Sequence, residues 1–266
     1  MLRSWLRPER PHLPEPVDAG AARRIRIELL VVFSITLGLS GARSLLSLID
    51  SLLQPEPLSD QQVALNVPQR AADLLDLLAQ LLSTVQLIGW GALGAYLLVR
   101  GGRKLADIGL DRTRPHRDTW WGVGLAALIG IPGLALYFLG WKLGFNLAVV
   151  PSKLDDTWWR PIALVLSAFG NAFAEEVLVI GFLLTRLRQL AWRENTALVA
   201  AAVLRGSYHL YQGFGGFVGN FVMGLVFGRV WQKTNRLVPL VIAHTLLDVV
   251  SFVGYALLRG HLSWLP

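Results

Sequence analysis

The chain has 266 residues, of which 53% are hydrophobic and only 16% are charged, and its formal net charge is +7. Soluble domains carry about a quarter charged residues, so this composition favours an integral membrane protein over a soluble one. Cysteine does not occur, which excludes disulfides, thiolate metal ligands and a cysteine nucleophile.

The N-terminal segment 1–27 is polar and rich in proline ("RPERPHLPEP"). This composition predicts a disordered or surface-lying arm. The first apolar run begins only after Arg26 and is long enough to span a bilayer, and no small-residue cleavage site follows it. We therefore expect a retained membrane helix rather than a removable signal peptide.

Seven apolar runs have, or nearly have, the roughly 20 residues that a helix needs to cross a bilayer. They predict an all-α, polytopic bundle of about seven (six to eight) transmembrane helices. The fifth and sixth runs are short, and the glycine-rich stretch "QGFGGF" joins them. Irregular backbone is tolerated inside a membrane where it lines a cavity, so we expect this link to do so. The runs are 28–49, 75–99, 119–142, 161–186, 196–212, 215–232 and 237–258.

The Lys and Arg residues predict the orientation, because cytoplasmic loops are enriched in them. Eighteen of the 25 fall on one side of the seven-helix arrangement and five on the other. We expect a multi-pass protein of the cell membrane with its N-terminus inside and its C-terminal tail (259–266) outside. The same distribution explains the basic pI without a nucleic-acid partner. The segment 103–115 has apolar residues at helical spacing between basic ones, and we expect a short helix lying on the inner membrane surface there.

Six ionisable residues fall inside the last four predicted helices. A charge at mid-bilayer costs roughly 2.5–3.5 kcal/mol even on the most lenient scale, and the first three helices carry no comparable set. The concentration of this cost in the C-terminal half predicts one shared polar cavity. The six residues are Glu175, Glu176, Arg205, His209, His244 and Asp248.

Helical spacing favours convergence of these side chains. His244 and Asp248 are four residues apart and would share one helix face, and Arg205 and His209 have the same relation. The two adjacent glutamates are about 100° apart around their helix. We expect one of them to face the cavity and the other to face a neighbouring helix.

Such a cavity can hydrolyse an amide in two ways. A carboxylate beside histidines can activate a water molecule for attack on a carbonyl, and a histidine or cation can stabilise the oxyanion. Alternatively, two histidines and a carboxylate can hold a zinc ion with one position open for water. The residue types do not decide between these two routes.

At these residues the sequence resembles the CPBP family of intramembrane proteases, which comprises CAAX proteases and bacteriocin-processing enzymes. The family signature is EExxxR, FxxxH and HxxxN or HxxxD, each on a membrane helix. The matching stretches are "EEVLVI" (175–180), "RGSYH" (205–209) and "HTLLD" (244–248). The resemblance implies a catalytic membrane core at 159–258, preceded by membrane helices at 28–158, and a membrane-embedded peptidase activity.

The resemblance also implies roles for the individual residues. Glu175 would be the general base for water, helped by His209, and Glu176 would be its supporting acid. His244 and Asp248 would polarise the substrate carbonyl or stabilise the oxyanion. If a metal such as Zn²⁺ is used, His209 and His244 would be its ligands. Neither histidine has HExxH spacing, so the metal-free route is favoured.

Two positions depart from the family signature. The expected arginine of EExxxR is Ile180, and the expected phenylalanine of FxxxH is Arg205. We hypothesise that the cation lost from the fourth helix is regained on the fifth, where Arg205 supports the site by pairing with Glu176. Arg205→Ala should then be as harmful as Glu176→Ala, and Ile180→Arg should partly rescue it.

The first hypothesis is an endopeptidase that cuts a peptide bond near the cytoplasmic face. The alternatives are a non-catalytic CPBP-like scaffold or immunity protein, and a proton-coupled transporter. Buried Glu, His and Asp also build proton relays, but no inverted repeat accompanies them here. The expected partners are the lipid bilayer and a peptide or protein substrate, whose membrane anchoring the sequence leaves open.

Overall fold

The computed structural model describes residues 16–258, and helices dominate this part of the chain. Within it lie nine α-helices, one π-helical segment, three short 3-10 helices and two strands. The α-helices are α1 (Ala19–Ile35), α2 (Leu37–Leu53), α3 (Asp73–Arg100), α4 (Pro115–Lys142), α5 (Arg160–Glu175), α6 (Leu184–Gln189), α7 (Glu194–Ser207), α8 (Phe214–Thr234) and α9 (Val238–Leu258). The π-helical segment is Glu176–Leu183, and the strands are β1 (Gln62–Asn66) and β2 (Ala148–Ser152).

The chain is a multi-pass membrane protein by the length and composition of its helices. Five helical stretches of the described residues are long and apolar enough to span a bilayer, and α1 with α2 makes a sixth if the bent pair is one span. Helices occur at all seven predicted runs, but α7 has only 14 residues. By this measure the described residues contain five or six spans, fewer than the seven expected from the sequence.

A bend of 47° separates α1 from α2. The bend is centred on Thr36, whose backbone leaves the helical region and whose hydroxyl donates a hydrogen bond to Val32 O. Gly38 follows, and a Cβ atom there would meet Phe33 O at 2.5 Å. Only glycine fits this close approach, so the sequence fixes the bend locally. Helix α1 itself begins at Ala19, earlier than the predicted arm boundary, because Asp18 caps it by accepting from Ala21 N–H.

One end of the bundle gathers the loops that are rich in Lys and Arg. Arg236 bridges Asp111 and Asp118 there, and Trp231 Nε1–H donates to Ile108 O. The expected interfacial helix at 103–115 is only a single 3-10 turn, Leu105–Ile108. We call this end the basic end, and it comprises 101–114, 190–193 and 235–237.

The opposite end carries the two strands, which pair in parallel. Asn146 forms an isolated bridge with Gly213, and Trp159 Nε1–H donates to Asp73 Oδ1 at 2.8 Å. Successive helices therefore run back and forth between the two ends. We call this second end the strand end, and it comprises 54–72, 143–159 and 208–213.

The core of the bundle surrounds the continuous helical stretch Arg160–Gln189, which is formed by α5, the π-helical segment and α6. Of its most apolar window, 61% is buried inside the protein. Every residue of the π-helical segment is buried. This stretch is the central element against which α3, α7 and α9 pack.

Candidate active site

Glu175 and Glu176 lie where α5 passes into the π-helical segment. A π-turn inserts an extra residue into the helical ladder and is frequent at functional sites. Glu175 retains 9% of its accessible surface and lines a cavity. Glu176 is fully buried. The two neighbouring carboxylates therefore face different surroundings, as their helical spacing predicted.

Glu176 is held by two partners from other helices. Arg205 Nη2 of α7 donates to Glu176 Oε1 in a close ion pair. His244 Nδ1 of α9 lies 2.8 Å from the same oxygen. The guanidinium of Arg205 is fully buried and stands 5.7 Å from the ring centre of Phe227. The contact between Arg205 and Glu176 is the one hypothesised from the sequence, because Ile180 and Arg205 depart from the family motifs.

Glu175 makes a different set of contacts on the cavity side. Tyr208 O–H donates to Glu175 Oε2 at 2.7 Å, and Arg205 Nη2 lies 3.5 Å from this oxygen. His209 Nε2 is 3.9 Å away and has no hydrogen-bond partner among the described residues. A carboxylate and an unpartnered imidazole nitrogen thus face each other at a separation slightly longer than a direct hydrogen bond.

Sequence reasoning missed Tyr208. The residue directly precedes the motif histidine and is buried. Tyrosine side chains that are buried usually find a partner for their hydroxyl group, and here the partner is the carboxylate of Glu175. The available signal was an aromatic residue with a polar hydroxyl group inside the RGSYH motif.

The predicted helical relation of Arg205 and His209 is wrong. Helix α7 ends at Ser207, and His209 lies in the following turn, with φ −107 and ψ 4. Two hydrogen bonds join this turn to α2. Ser44 Oγ–H donates to Tyr208 O at 3.0 Å, and Tyr211 N–H donates to Ser44 Oγ at 3.1 Å. Tertiary hydrogen bonds, which a helical repeat does not reveal, thus position the histidine.

His244 and Asp248 share one face of α9, as predicted. His244 Nε2 lies 3.8 Å from Asp248 Oδ1, while its other ring nitrogen faces Glu176. The Asp248 side chain retains 21% of its accessible surface. Asn171, from α5, lines the cavity beside it. The imidazole of His244 therefore bridges the buried carboxylate and the cavity carboxylate.

The cavity has a volume of about 1350 Å³ and extends from Glu175 to the strand end. Its ionisable lining groups, tyrosines aside, are two carboxylates and two imidazoles, and no Lys or Arg is among its lining residues in the described chain. Gln212, Gly215 and Gly216 contribute to the wall, so the expectation that "QGFGGF" lines a cavity is confirmed. Glu176 and Arg205 lie behind the wall. The four groups are Glu175, His209, His244 and Asp248.

The donor set does not fit the two-histidine zinc site considered from the sequence. Within residues 16–258, no group of three His, Asp or Glu side chains has the geometry to hold a metal ion. His244 directs its two ring nitrogens towards Glu176 and Asp248, and His209 Nδ1 lies 3.5 Å from Gln212 Nε2. We therefore derive no step through a metal at His209 and His244.

The three motif-bearing segments thus meet at one cavity in the C-terminal half. Residues 157–250 match the sequence model of the family described as type II CAAX prenyl endopeptidase Rce1-like. This segment is a domain of that family. No curated protein and no solved structure matches the chain significantly. All six ionisable residues singled out in the sequence lie within the Rce1-like domain, whereas Ser44, which joins α2 to the His209 turn, lies outside it.

Proposed function

We propose that the protein is an intramembrane endopeptidase in which Glu175 and His209 activate a water molecule. The observation that carries the proposal is the pair itself. Glu175 Oε2 and the buried, unpartnered His209 Nε2 lie 3.9 Å apart, and both residues line a large cavity. A water molecule beside both groups could be polarised by each of them.

In the proposed reaction, the Glu175 carboxylate takes a proton from water as the oxygen attacks the peptide carbonyl. The protonated carboxyl group then gives this proton to the leaving amine. His244 stands between two carboxylates and, as an imidazolium, supplies a positive charge near the oxyanion. Tyr208 fixes the orientation of the Glu175 carboxylate through its hydroxyl group.

Glu176 and Arg205 act through the other residues in this scheme. Neither lines the cavity, and each is fully buried. Their ion pair ties α7 to the π-helical segment, and the Glu176 contact with His244 adds α9. Separating the two charges at this depth would leave each of them buried without a partner, which is costly. The pair therefore holds the three helical segments in place around the catalytic carboxylate.

The proposed orientation places the basic end in the cytoplasm, because Lys and Arg concentrate there. The cavity extends to the strand end, so the substrate would then enter from the opposite side of the membrane. This changes the initial expectation of cleavage near the cytoplasmic face. The C-terminal tail that was expected outside begins at residue 259 and lies beyond the described residues.

Cleavage of a peptide library by the purified protein tests the proposal, with products identified by mass spectrometry. We expect cleavage by the wild type and a fall of at least about a hundredfold in Glu175→Gln, since general bases contribute roughly 10²–10⁴ in rate. Glu56→Gln is the matched control, because Glu56 is exposed in a loop at the strand end. Equal activity of Glu175→Gln and the wild type would refute the role of Glu175.

The library also separates the peptidase from the scaffold or immunity function. Peptides bound by the wild type but never cleaved would favour the scaffold or immunity function. If cleavage occurs, covalent or affinity capture on Glu175→Gln in native membranes, followed by mass spectrometry, would identify the natural substrate.

A further inference from the structure

Strand β1 is paired along one edge only. The parallel register aligns Gln62 with Ala148 and Ala64 with Val150, and Ala148 N–H donates to Gln61 O at 2.9 Å. In a parallel ladder, alternate residues of a strand direct their amide and carbonyl groups to the same side. Gln62 and Ala64 therefore direct theirs away from β2.

The edge opposite β2 carries no third strand in the described part of the chain. Among the helices and strands, β2 is the element against which β1 packs extensively. Gln62 is exposed and Ala64 is half-buried. Native proteins usually cover or disguise such an edge, because unpaired N–H and C=O groups are a template for another strand.

This edge is continuous with the cavity of the candidate active site. The segment 64–67 forms part of the cavity wall, and the same cavity reaches Glu175 and His209. The side-chain amides of Gln69 and Gln80 also lie on this wall. They are joined to each other, with Gln69 Nε2–H donating to Gln80 Oε1 at 3.2 Å. Peptide backbone and neutral amides at the strand end therefore line the same cavity as the carboxylates.

The charges of the wall restrict what can bind there. Its lining contains carboxylates and imidazoles but no Lys or Arg in the described residues. The Arg205 guanidinium is sealed behind the wall by Glu176. An acidic side chain or a free terminal carboxylate in the cavity would lie near the Glu175 and Asp248 carboxylates, and the His244 imidazolium there is already placed between two carboxylates. Little opposite charge is then left to offset its desolvation. A neutral or basic segment meets no such penalty.

We propose that the free edge of β1 binds an extended, neutral or basic segment of the substrate as a third strand and guides the following residues to Glu175. Main-chain hydrogen bonds supply affinity in this mode, with little dependence on sequence. The inference rests on the proposed peptidase function, since it names how the substrate of the same site is held.

The test uses the full-length Glu175→Gln variant in lipid nanodiscs, so that binding is measured without turnover. The probe is a blocked peptide of about ten alternating threonine and valine residues with a photoreactive benzoylphenylalanine at its centre. Crosslinked positions are mapped by mass spectrometry. A series of probes, each N-methylated at one backbone position, reports which peptide amides donate hydrogen bonds.

We expect crosslinks within 62–67. N-methylation at every second position should lower crosslinking at least about fivefold, and methylation at the intervening positions should change it less than about twofold. Ala64→Pro removes an N–H from the free edge and should also lower crosslinking at least about fivefold. Ala64→Val keeps this N–H and should not lower crosslinking to that extent. Replacing two threonines by aspartate should weaken binding, and replacing them by lysine should not.

Crosslinks confined to other parts of the protein, or N-methyl effects without alternation, would overturn the inference. Because N-methylation alters the probe, this readout holds even if Ala64→Pro fails to fold. If the N-methyl effects alternate but the wild type cleaves no peptide, the peptidase function is refuted and the β1 edge remains a binding site. If the wild type cleaves peptides but the N-methyl effects do not alternate, only the binding role of the β1 edge is refuted.

Discussion

Helix α4 and the stretch Arg160–Gln189 are both hydrophobic membrane helices, but they occupy opposite kinds of environment. Their most apolar windows have mean hydropathies of 2.0 and 1.6. Only 11% of the α4 window is buried inside the protein, against 61% for the other. Hydropathy thus shows that both can cross a membrane, but not which one is surrounded by protein.

The difference explains where charged residues can be placed. Between Asp118 and Lys142, α4 carries no charged residue, and few of its residues are buried inside the protein. The buried stretch carries Glu175 and Glu176, because α7 and α9 supply Arg205 and His244 as partners. Ionisable residues within a membrane are tolerated where they face the bundle interior and pair there.

Removing the Arg205 cation, which pairs with the buried stretch, should have the largest effect on this comparison. Arg205→Ala leaves Glu176 buried with one partner fewer, and we expect a loss of about 3–5 kcal/mol in the free energy of unfolding. Activity should fall as far as in Glu176→Ala. Unfolding in mixed detergent micelles measures the change.

Arg43→Ala is the control for Arg205→Ala, because Arg43 lies on an exposed face of α2, and we expect a change within about 0.5 kcal/mol. Ile180→Arg should restore part of the stability of Arg205→Ala. Wild-type stability and activity in Arg205→Ala would contradict the account.

Tyr208→Phe should have the next largest effect. The change keeps the ring but removes the hydroxyl group that donates to Glu175. We expect kcat to fall about tenfold, since a hydrogen bond to a charged group contributes roughly 1.5–3 kcal/mol, with little change in KM. Tyr96→Phe, on a side chain that is 59% exposed, should leave both parameters unchanged. A fall in both variants would point to a general effect on the bundle.

Ser44→Ala tests whether the region outside the Rce1-like domain contributes to the site. Ser44 bonds the turn that carries His209 at two points, although it does not line the cavity. We expect kcat to fall about three- to tenfold, which corresponds to one or two lost neutral hydrogen bonds. Ser47→Ala, on the same helix, removes only a local bond to Arg43 O and should behave as wild type. Equal rates in the two variants would show that α2 does not position the turn.

The smallest effect should come from the clasp at the basic end. The Arg236 guanidinium donates a hydrogen bond to Asp111 and lowers the pKa of that carboxyl group to about 2. A carboxyl group with a depressed native pKa stabilises the fold above its unfolded pKa of about 3.9. This contribution is lost as the pH falls towards about 2.

Asp111→Asn should therefore cost up to about 1 kcal/mol at pH 7, and its difference from wild type should shrink between pH 4 and pH 2. Thermal unfolding of the two proteins across this range measures the difference. A difference that does not vary with pH would show that the Asp111 charge plays no part in the clasp.

The sequence predicted the helical membrane fold and the family of its C-terminal half, because hydropathy and motif spacing are local properties. It also predicted that Glu175 and Glu176 face different ways. It did not predict the end of α7 at Ser207, since the Ser44 contacts that hold the following turn come from 164 residues earlier in the chain. Nor did it predict the π-turn at Glu176 or the parallel pairing of β1 with β2, which depend on packing between distant segments.

The most direct test of the account uses the natural lack of cysteine in the chain. Glu175→Cys and Glu176→Cys each introduce a single thiol at neighbouring positions, and a membrane-impermeant thiol reagent is added to either side of sealed vesicles. We predict labelling at residue 175 at least about tenfold faster than at residue 176, and only from the side of the strand end. Equal labelling of both positions, or faster labelling of residue 176, would contradict the claim that Glu175 alone of the pair faces the cavity.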